Sequence, residues 1–97
     1  MKTFAERLLD DRRLALLRIL AEQAGYKANS TVLTVALDAF GHAVSRDFVR
    51  GQLAWLAEQG LLRIEDLGAV LLATLTERGL DVANGLATVP GVARPGA

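Results

Sequence analysis

An α+β fold is predicted, because helical and strand patterns follow one another along one short chain. In the segment Phe40 to Leu62, a glycine-containing turn precedes Ser45, a residue type favoured at helix N-caps. Val49, Leu53 and Leu56 then share one helix face at i, i+4, i+7 spacing, and two short Leu-, Ile- and Val-rich runs follow. The pattern is typical of a winged helix-turn-helix, with a three-helix core, a two-stranded β-hairpin wing and a short C-terminal helix.

The composition indicates one compact domain. The chain has 97 residues, of which 52% are hydrophobic, so it can build a core without disulfides or a metal ion. The absence of cysteine excludes a disulfide framework, a zinc-thiolate site and a cysteine nucleophile. Neither a signal peptide nor a membrane span is predicted, and we expect a cytoplasmic protein of a bacterial host cell.

The charge balance argues against strong general affinity for nucleic acids. Eleven basic residues balance eleven acidic ones, whereas nucleic-acid-binding domains are usually basic. Binding to DNA therefore requires the charges to be segregated on the surface.

A long N-terminal helix is predicted to begin at the capping box formed by Thr3 and Glu6. Asp10 and Asp11 lie either within this helix or at the cap of a second one. Apolar side chains cover more than half of the helix between residues 14 and 24, which is more than a surface helix usually buries. The helix is either central to its own core or also part of a subunit interface. We expect a homodimer through Leu8, Leu9, Leu16 and Ile19.

The remaining elements follow from turn and capping residues. Residues 26–28 form a short extended link or a strand, and Asn29 or Ser30 caps a helix through Ala39. Residues 61–66 and 69–75 form the wing, and residues 77–84 form the last helix after the Thr76 cap. These elements define a domain over residues 1–87. Residues 88–97, with two prolines and two glycines, are predicted to be a flexible tail or a docking arm.

The exposed face of the helix after Ser45 supplies the candidate site. Arg46, Asp47 and Arg50 can reach DNA bases or phosphates from its first two turns. Small residues on the same face, Gly51 among them, allow another backbone to approach closely. The predicted wing tip is acidic at Glu65 and Asp66, which phosphates would repel, and Arg63 is the wing cation. Either the wing stays away from DNA, or the protein does not bind DNA in the usual way.

Nothing in the sequence indicates an enzyme. His42 is the single histidine and lies in a turn, without a neighbouring carboxylate cluster. No phosphate-binding loop, metalloprotease or hydrolase motif is present, so we expect no catalytic residue, metal ion or cofactor. Trp55 is interpreted either as an aromatic residue at the core edge or as an anchor for a partner.

Three stretches resemble the ArsR- and MarR-type winged-helix regulators in order and spacing: LALLRIL at 14–20, VSRDFVRGQLAWLAEQGLL at 44–62, and LTERGL at 75–80. The resemblance implies a recognition helix running into a wing, with DNA contacts at Ser45, Arg46, Asp47, Arg50 and Gly51. The cysteine or histidine clusters of metal sensors are missing, so metal sensing is not implied. Of the long dimerisation helices of MarR-type proteins, only the N-terminal one has a counterpart.

A closer resemblance is to the small winged-helix proteins of Mu-like phages and prophages. It is carried by DDRR at 10–13, LTERGLDVA at 75–83 and the tail VPGV at 89–92, as well as the central stretch. Two hypotheses follow. The first is a phage transcriptional regulator that binds double-stranded DNA as a homodimer. The second is a non-enzymatic protein-interaction or phage assembly factor that uses the small-residue face and Trp55.

Overall fold

The computed structural model describes residues 1–96 and confirms the α+β fold. The elements are α1 (Phe4–Ala21), a 3-10 turn (Ala24–Tyr26), β1 (Lys27–Asn29), α2 (Ser30–Ala39), α3 (Arg46–Glu58), β2 (Leu62–Asp66), β3 (Leu71–Leu75) and α4 (Glu77–Ala83). Helices α2 and α3 form the helix-turn-helix, and β2 and β3 form the wing.

Helix α1 is one continuous helix. Thr3 Oγ1 accepts a hydrogen bond from the Glu6 amide at 3.1 Å, and Glu6 Oε1 accepts one from the Thr3 amide at 3.1 Å. This reciprocal pair is the predicted capping box, and it satisfies two amides that have no partner inside the helix. Asp10 and Asp11 lie within the helix, so the alternative of a second helix start is wrong.

The wing hairpin is part of a three-stranded antiparallel sheet with the order β1-β3-β2. Strand β1 pairs Ala28 with Ala73 of β3, which decides between the link and the strand predicted at residues 26–28. Ser30 follows β1 directly, and its buried hydroxyl accepts a hydrogen bond from the Leu71 amide at 3.1 Å. The cap of α2 is therefore Asn29, whose Oδ1 accepts from the Val32 amide at 2.9 Å.

The core lies between α1, the helix-turn-helix and the inner face of the sheet. Its fully buried members come from every layer and are mostly leucines. Leu16, Leu17 and Leu20 of α1 have no exposed surface. Helix α1 is thus central to the core of its own chain, which is one of the two alternatives that its broad apolar surface allowed.

Residues 88–96 dock on the domain and do not form the predicted flexible tail. Val89 and Val92 are buried in the core, and the Ala93 amide donates to the carbonyl oxygen of Asp10 in α1 at 3.2 Å. The two valines supply the apolar surface that a docking arm needs, and Ala97 lies outside the described residues. We call residues 88–96 the C-terminal arm.

Candidate nucleic-acid interface

Helix α3 is fixed by its cap and by its apolar face. Ser45 Oγ accepts a hydrogen bond from the Phe48 amide at 3.0 Å, which sets the start of the helix as predicted. Val49, Leu53 and Leu56 are fully buried against the core. With one face held this firmly, the opposite face has a defined orientation toward solvent.

The opposite face of α3 brings the predicted contact residues together. Ser45, Arg46, Asp47 and Gly51 are exposed, and Arg50 is half-buried. Within the described chain, the ion pair between Lys2 and Asp10 is the only one, so both α3 arginines are free to meet an anion. Asp47 lies in the first helical turn, where a negative charge is favourable for the helix dipole.

Gly51 has no structural purpose within the protomer. It lies in the interior of α3, and a Cβ added to it would meet no atom within 4 Å. A glycine at such a position makes a helix about 0.5–1 kcal/mol less stable than an alanine would. The missing side chain leaves room for close approach by a molecule outside the protomer.

The wing tip is compact and acidic. Asp66 Oδ1 accepts a hydrogen bond from the Gly68 amide at 2.9 Å, and Gly68 has a φ of +85°, which suits glycine. Asp66 therefore shapes the turn, while the neighbouring Glu65 is exposed without such a contact. Of the two acidic side chains, Glu65 is the one that acts on the surface potential alone.

The sheet places a second cation near Arg63. Arg63 of β2 and Lys27 of β1 are both paired with Thr74 of the central strand. Both side chains are exposed, and strands two apart are separated by about 10 Å. Sequence reasoning missed Lys27, because its proximity to Arg63 depends on β1 joining the sheet.

The ring of Trp55 is covered by other residues of the same protomer. The guanidinium of Arg13 lies 3.7 Å from the centroid of its ring, and Gly91 of the C-terminal arm lies so close that a Cβ would be 2.8 Å from the ring. Arg13 also donates to Gln52 Oε1 at 2.8 Å and to the Gly91 carbonyl at 3.1 Å. The structure favours the core-edge interpretation of Trp55 over that of a partner anchor.

The residues expected at a dimer interface differ in how much surface they leave exposed in the structure. Leu16 is fully buried and Ile19 is only 4% exposed, so neither has surface to offer a second subunit. These two expectations are corrected: helical periodicity shows that a residue is buried, but not by which chain. Leu8 and Leu9 are half-buried and stay within reach of a partner.

His42 does not belong to a metal site in the part of the chain that the structure describes, where no group of three potential ligands occurs. Its amide donates to the Leu37 carbonyl at 2.9 Å in the turn between α2 and α3.

No helix within residues 1–96 is both long enough and apolar enough to cross a membrane.

The helix-turn-helix, the wing and the free face of α3 define a winged-helix protein. Its fold is similar to that of ZitR from Lactococcus lactis, solved as a mutant in apo form, with a TM-score of 0.60 and 30% sequence identity. The match covers 84% of this chain and 57% of the ZitR chain, so this chain spans little more than half of that protein's length.

The chain belongs to the family of the uncharacterised protein gp26 of Escherichia phage Mu. The two are 53% identical over 88 residues, which cover 91% of each chain. An uncharacterised protein of Haemophilus influenzae is 48% identical over 79 residues, covering 80% of this chain and 76% of that protein. No family model matches the sequence.

Proposed function

We propose that this protein binds double-stranded DNA through the exposed face of α3 and acts as a phage or prophage transcriptional regulator. The observation that carries the proposal is the free polar face at the start of α3, where Arg46 and Arg50 have no acidic partner within residues 1–96. In winged-helix proteins this part of the second motif helix enters the major groove. The similarity of the fold to that of ZitR is consistent with this proposal.

The contacts divide into two chemical types. Arg46 and Arg50 can donate bidentate hydrogen bonds to guanine or to phosphate oxygens. The Ser45 oxygen accepts from the Phe48 amide, which leaves its hydroxyl proton free to donate to a phosphate. Asp47 can accept from the amino group of cytosine. Gly51 lets the DNA backbone approach the helix closely, which explains a glycine that the fold does not need.

The cations of the sheet form a second basic group, on the face of the sheet that is turned away from the core. Arg63 and Lys27 lie in one row across the sheet, and phosphate contacts from such side chains position a protein without reading sequence. Because Glu65 and Asp66 occupy the wing tip, the base of the wing carries the contact in this proposal and the tip is held away from the phosphates.

The regulator is proposed to be a homodimer that associates through α1, as the half-buried positions Leu8 and Leu9 allow. A symmetric dimer would place two copies of α3 on a pseudo-palindromic site, with half-sites about one helical turn apart.

Fluorescence anisotropy of labelled random duplex DNA tests the proposal directly. We expect binding at low salt that weakens steeply as salt rises, because each neutralised phosphate releases counterions. The variant Arg46→Glu with Arg50→Glu should lose at least about tenfold in affinity. Arg78→Glu, which reverses a charge on the exposed surface of α4, is the matched control and should bind nearly as the parent does. Absence of binding at low salt would rule out the regulator function.

A protein-interaction or assembly function is the second candidate, and the acidic wing tip favours it. Glu65, Asp66 and a net charge of zero are unusual for a DNA-binding surface. Since Trp55 is already covered by Arg13 and Gly91, a protein partner would have to use the exposed small residues of α3, Gly51 and Ala54. A partner held by these apolar contacts would stay bound to the Arg46→Glu, Arg50→Glu variant.

A further inference from the structure

The outer surface of α1, on the side away from the core, carries charged residues at regular spacing. Arg7, Asp11, Arg18 and Glu22 lie within an arc of about 60° when the helix is viewed along its axis. All four are exposed, and within residues 1–96 none of them forms an ion pair. Both pairs at i, i+4 spacing, Arg7 with Asp11 and Arg18 with Glu22, have the basic residue first, which is the weaker order for intrahelical pairing. We call these four residues the outer charge row.

Apolar residues lie directly beside the outer charge row. Phe4 is 80% exposed, and Leu8 and Ala15 are half-buried on the same side of the helix. Next to them, a groove of about 320 Å³ runs between α1 and the turn after α2, and Phe40, itself 65% exposed, lines it. Two aromatic side chains as exposed as Phe4 and Phe40 are unusual on the surface of a small domain.

The order of the charges makes the row complementary to itself when two copies run in opposite directions. A register that places Asp11 opposite Arg18 of a second copy also places Arg7 opposite Glu22. By symmetry it forms each of these contacts twice. The same register puts the small residue Ala15 next to the two-fold axis, where two helices must come closest. A parallel arrangement would instead place each charge opposite itself.

We propose, building on the homodimer described above, that the outer charge row is an antiparallel self-association surface in which Asp11 pairs with Arg18 of the second copy. In this register Phe4 of the second copy lies opposite position 25, just beyond the Glu22 end of α1. The apolar contacts provide the burial that stabilises the dimer. The charges select the register and the antiparallel direction.

This surface differs from the one expected from sequence periodicity. The leucines and isoleucine that form the strongest apolar pattern, Leu16 and Ile19 among them, are used by the core of the protomer. The opposite, mostly polar side of the helix is the side that remains free for a partner.

Charge exchange tests the pairing, with dimer dissociation measured by sedimentation velocity over a wide range of protein concentration. Asp11→Arg alone and Arg18→Asp alone each create two like-charge contacts in a symmetric dimer, and each should weaken it by at least about tenfold. The double variant Asp11→Arg, Arg18→Asp restores opposite charges at both contacts and should return to nearly parental affinity. An equimolar mixture of the two single variants should form a heterodimer for the same reason.

The rescue separates contacts between subunits from effects within one chain. Residues 11 and 18 are two helical turns, about 10 Å, apart in one helix and cannot pair with each other there. Any loss of helix stability from the single changes would persist in the double variant. Arg78→Asp, a charge reversal on α4, is the matched control and should leave the dimer unchanged. Circular dichroism melting checks that every variant is folded.

Three other outcomes of the sedimentation experiments would overturn the proposal. A parental protein that stays monomeric at all concentrations would exclude the surface, as would single variants that dimerise like the parent. Single variants that dissociate without rescue in the double variant would exclude the Asp11 to Arg18 pairing. The anisotropy assay is run on the same samples. A dimer that follows the charge rules but binds no DNA would contradict the proposed regulator function and leave this surface intact.

Discussion

The guanidinium of Arg13 lies 3.7 Å from the centroid of the Trp55 ring, and this contact joins three segments of the chain. Arg13 belongs to α1, Trp55 to α3, and the Gly91 carbonyl that accepts from Arg13 belongs to the C-terminal arm. Burial lowers the pKa of Arg13 from its ordinary value, and Asp10 opposes that shift; an arginine nonetheless stays charged at any physiological pH. One cation therefore links α1, α3 and the C-terminal arm.

Replacing Arg13 by methionine should lower the free energy of unfolding by about 1–3 kcal/mol, because two hydrogen bonds and a cation–π contact are lost. Trp55 is the only tryptophan, so its emission should shift to longer wavelength in the variant. Urea unfolding followed by fluorescence measures both effects. Arg12→Met is the control: Arg12 lies 5.6 Å from the Phe48 ring centroid, and its loss should cost less. Equal effects of the two changes would contradict the role given to Arg13.

Gly79 and Gly51 should respond in opposite ways to alanine, although both lie within helices. A Cβ at Gly79 would be 1.9 Å from the Leu61 carbonyl oxygen, a backbone atom, so Gly79→Ala should destabilise the fold by about 2 kcal/mol or more. Gly51→Ala should stabilise it by about 0.5–1 kcal/mol. Thermal melting measures both changes in stability. A Gly79→Ala protein as stable as the parent would show that the contact with Leu61 is not tight.

A substitution at Gly51 also tests whether DNA approaches α3 closely. In Gly51→Leu the added Cβ meets no atom of the protomer, so the variant should fold normally, but it should weaken DNA binding in the anisotropy assay. Unchanged affinity of that variant would mean that nothing approaches the middle of α3.

Removing the C-terminal arm should weaken the domain. Deletion of residues 88–97 exposes the surface covered by Val89 and Val92, and burial of two valines contributes about 3 kcal/mol. The deletion should also shift Trp55 emission to longer wavelength, because Gly91 no longer covers the ring. Deletion of residues 94–97 keeps both valines and is the control. If the longer deletion melts at the parental temperature, residues 1–87 form the stable unit without the arm.

The wing tip should limit DNA affinity if the proposed function is right. Glu65→Lys removes a negative charge from the tip without touching the turn that Asp66 shapes, and anisotropy should show tighter binding with a steeper salt dependence. Glu77→Lys, with the same charge change at the start of α4, is the comparison. No difference between the two variants would indicate that the wing tip never comes near the phosphates.

The N-terminal capping box should give a small pH dependence. The hydrogen bond from the Thr3 amide lowers the pKa of Glu6 below its ordinary value of 4.5. A carboxylate with a lowered pKa stabilises the folded state above that ordinary value, and the contribution is lost as the pH falls through the lowered pKa. The melting temperatures of the parent and Glu6→Gln should thus converge in acid. A constant difference at every pH would contradict the shift.

The sequence predicted most of the fold because caps and apolar spacing are local signals. The side chains of Thr3, Ser45 and Thr76 each accept a hydrogen bond from a backbone amide, as predicted from their positions. Strand β1 has only three residues, too few to show a period, and its pairing depends on a distant strand. The docked arm depends on Arg13 and Trp55 meeting in space, which no spacing along the chain reveals.

The candidate site was predicted in part for the same reason. The positions of Arg46 and Arg50 on α3 follow from one helical wheel, whereas Lys27 beside Arg63 required the order of the strands. At the dimer surface, periodicity identified the apolar side of α1, which its own chain covers. The side of α1 that remains exposed can be identified only from the folded structure of the protomer.

The pairing of Ala28 with Ala73 closes a long loop of chain around the helix-turn-helix. Everything between β1 and β3, including α3, lies inside that loop: β2 of the sheet follows α3, and α2, which begins directly after β1, precedes it. Such a helix cannot fray from a free end. Its amide protons should exchange with solvent only when the whole domain opens, and a partner meets a surface that is already rigid, with little entropy left to lose on binding.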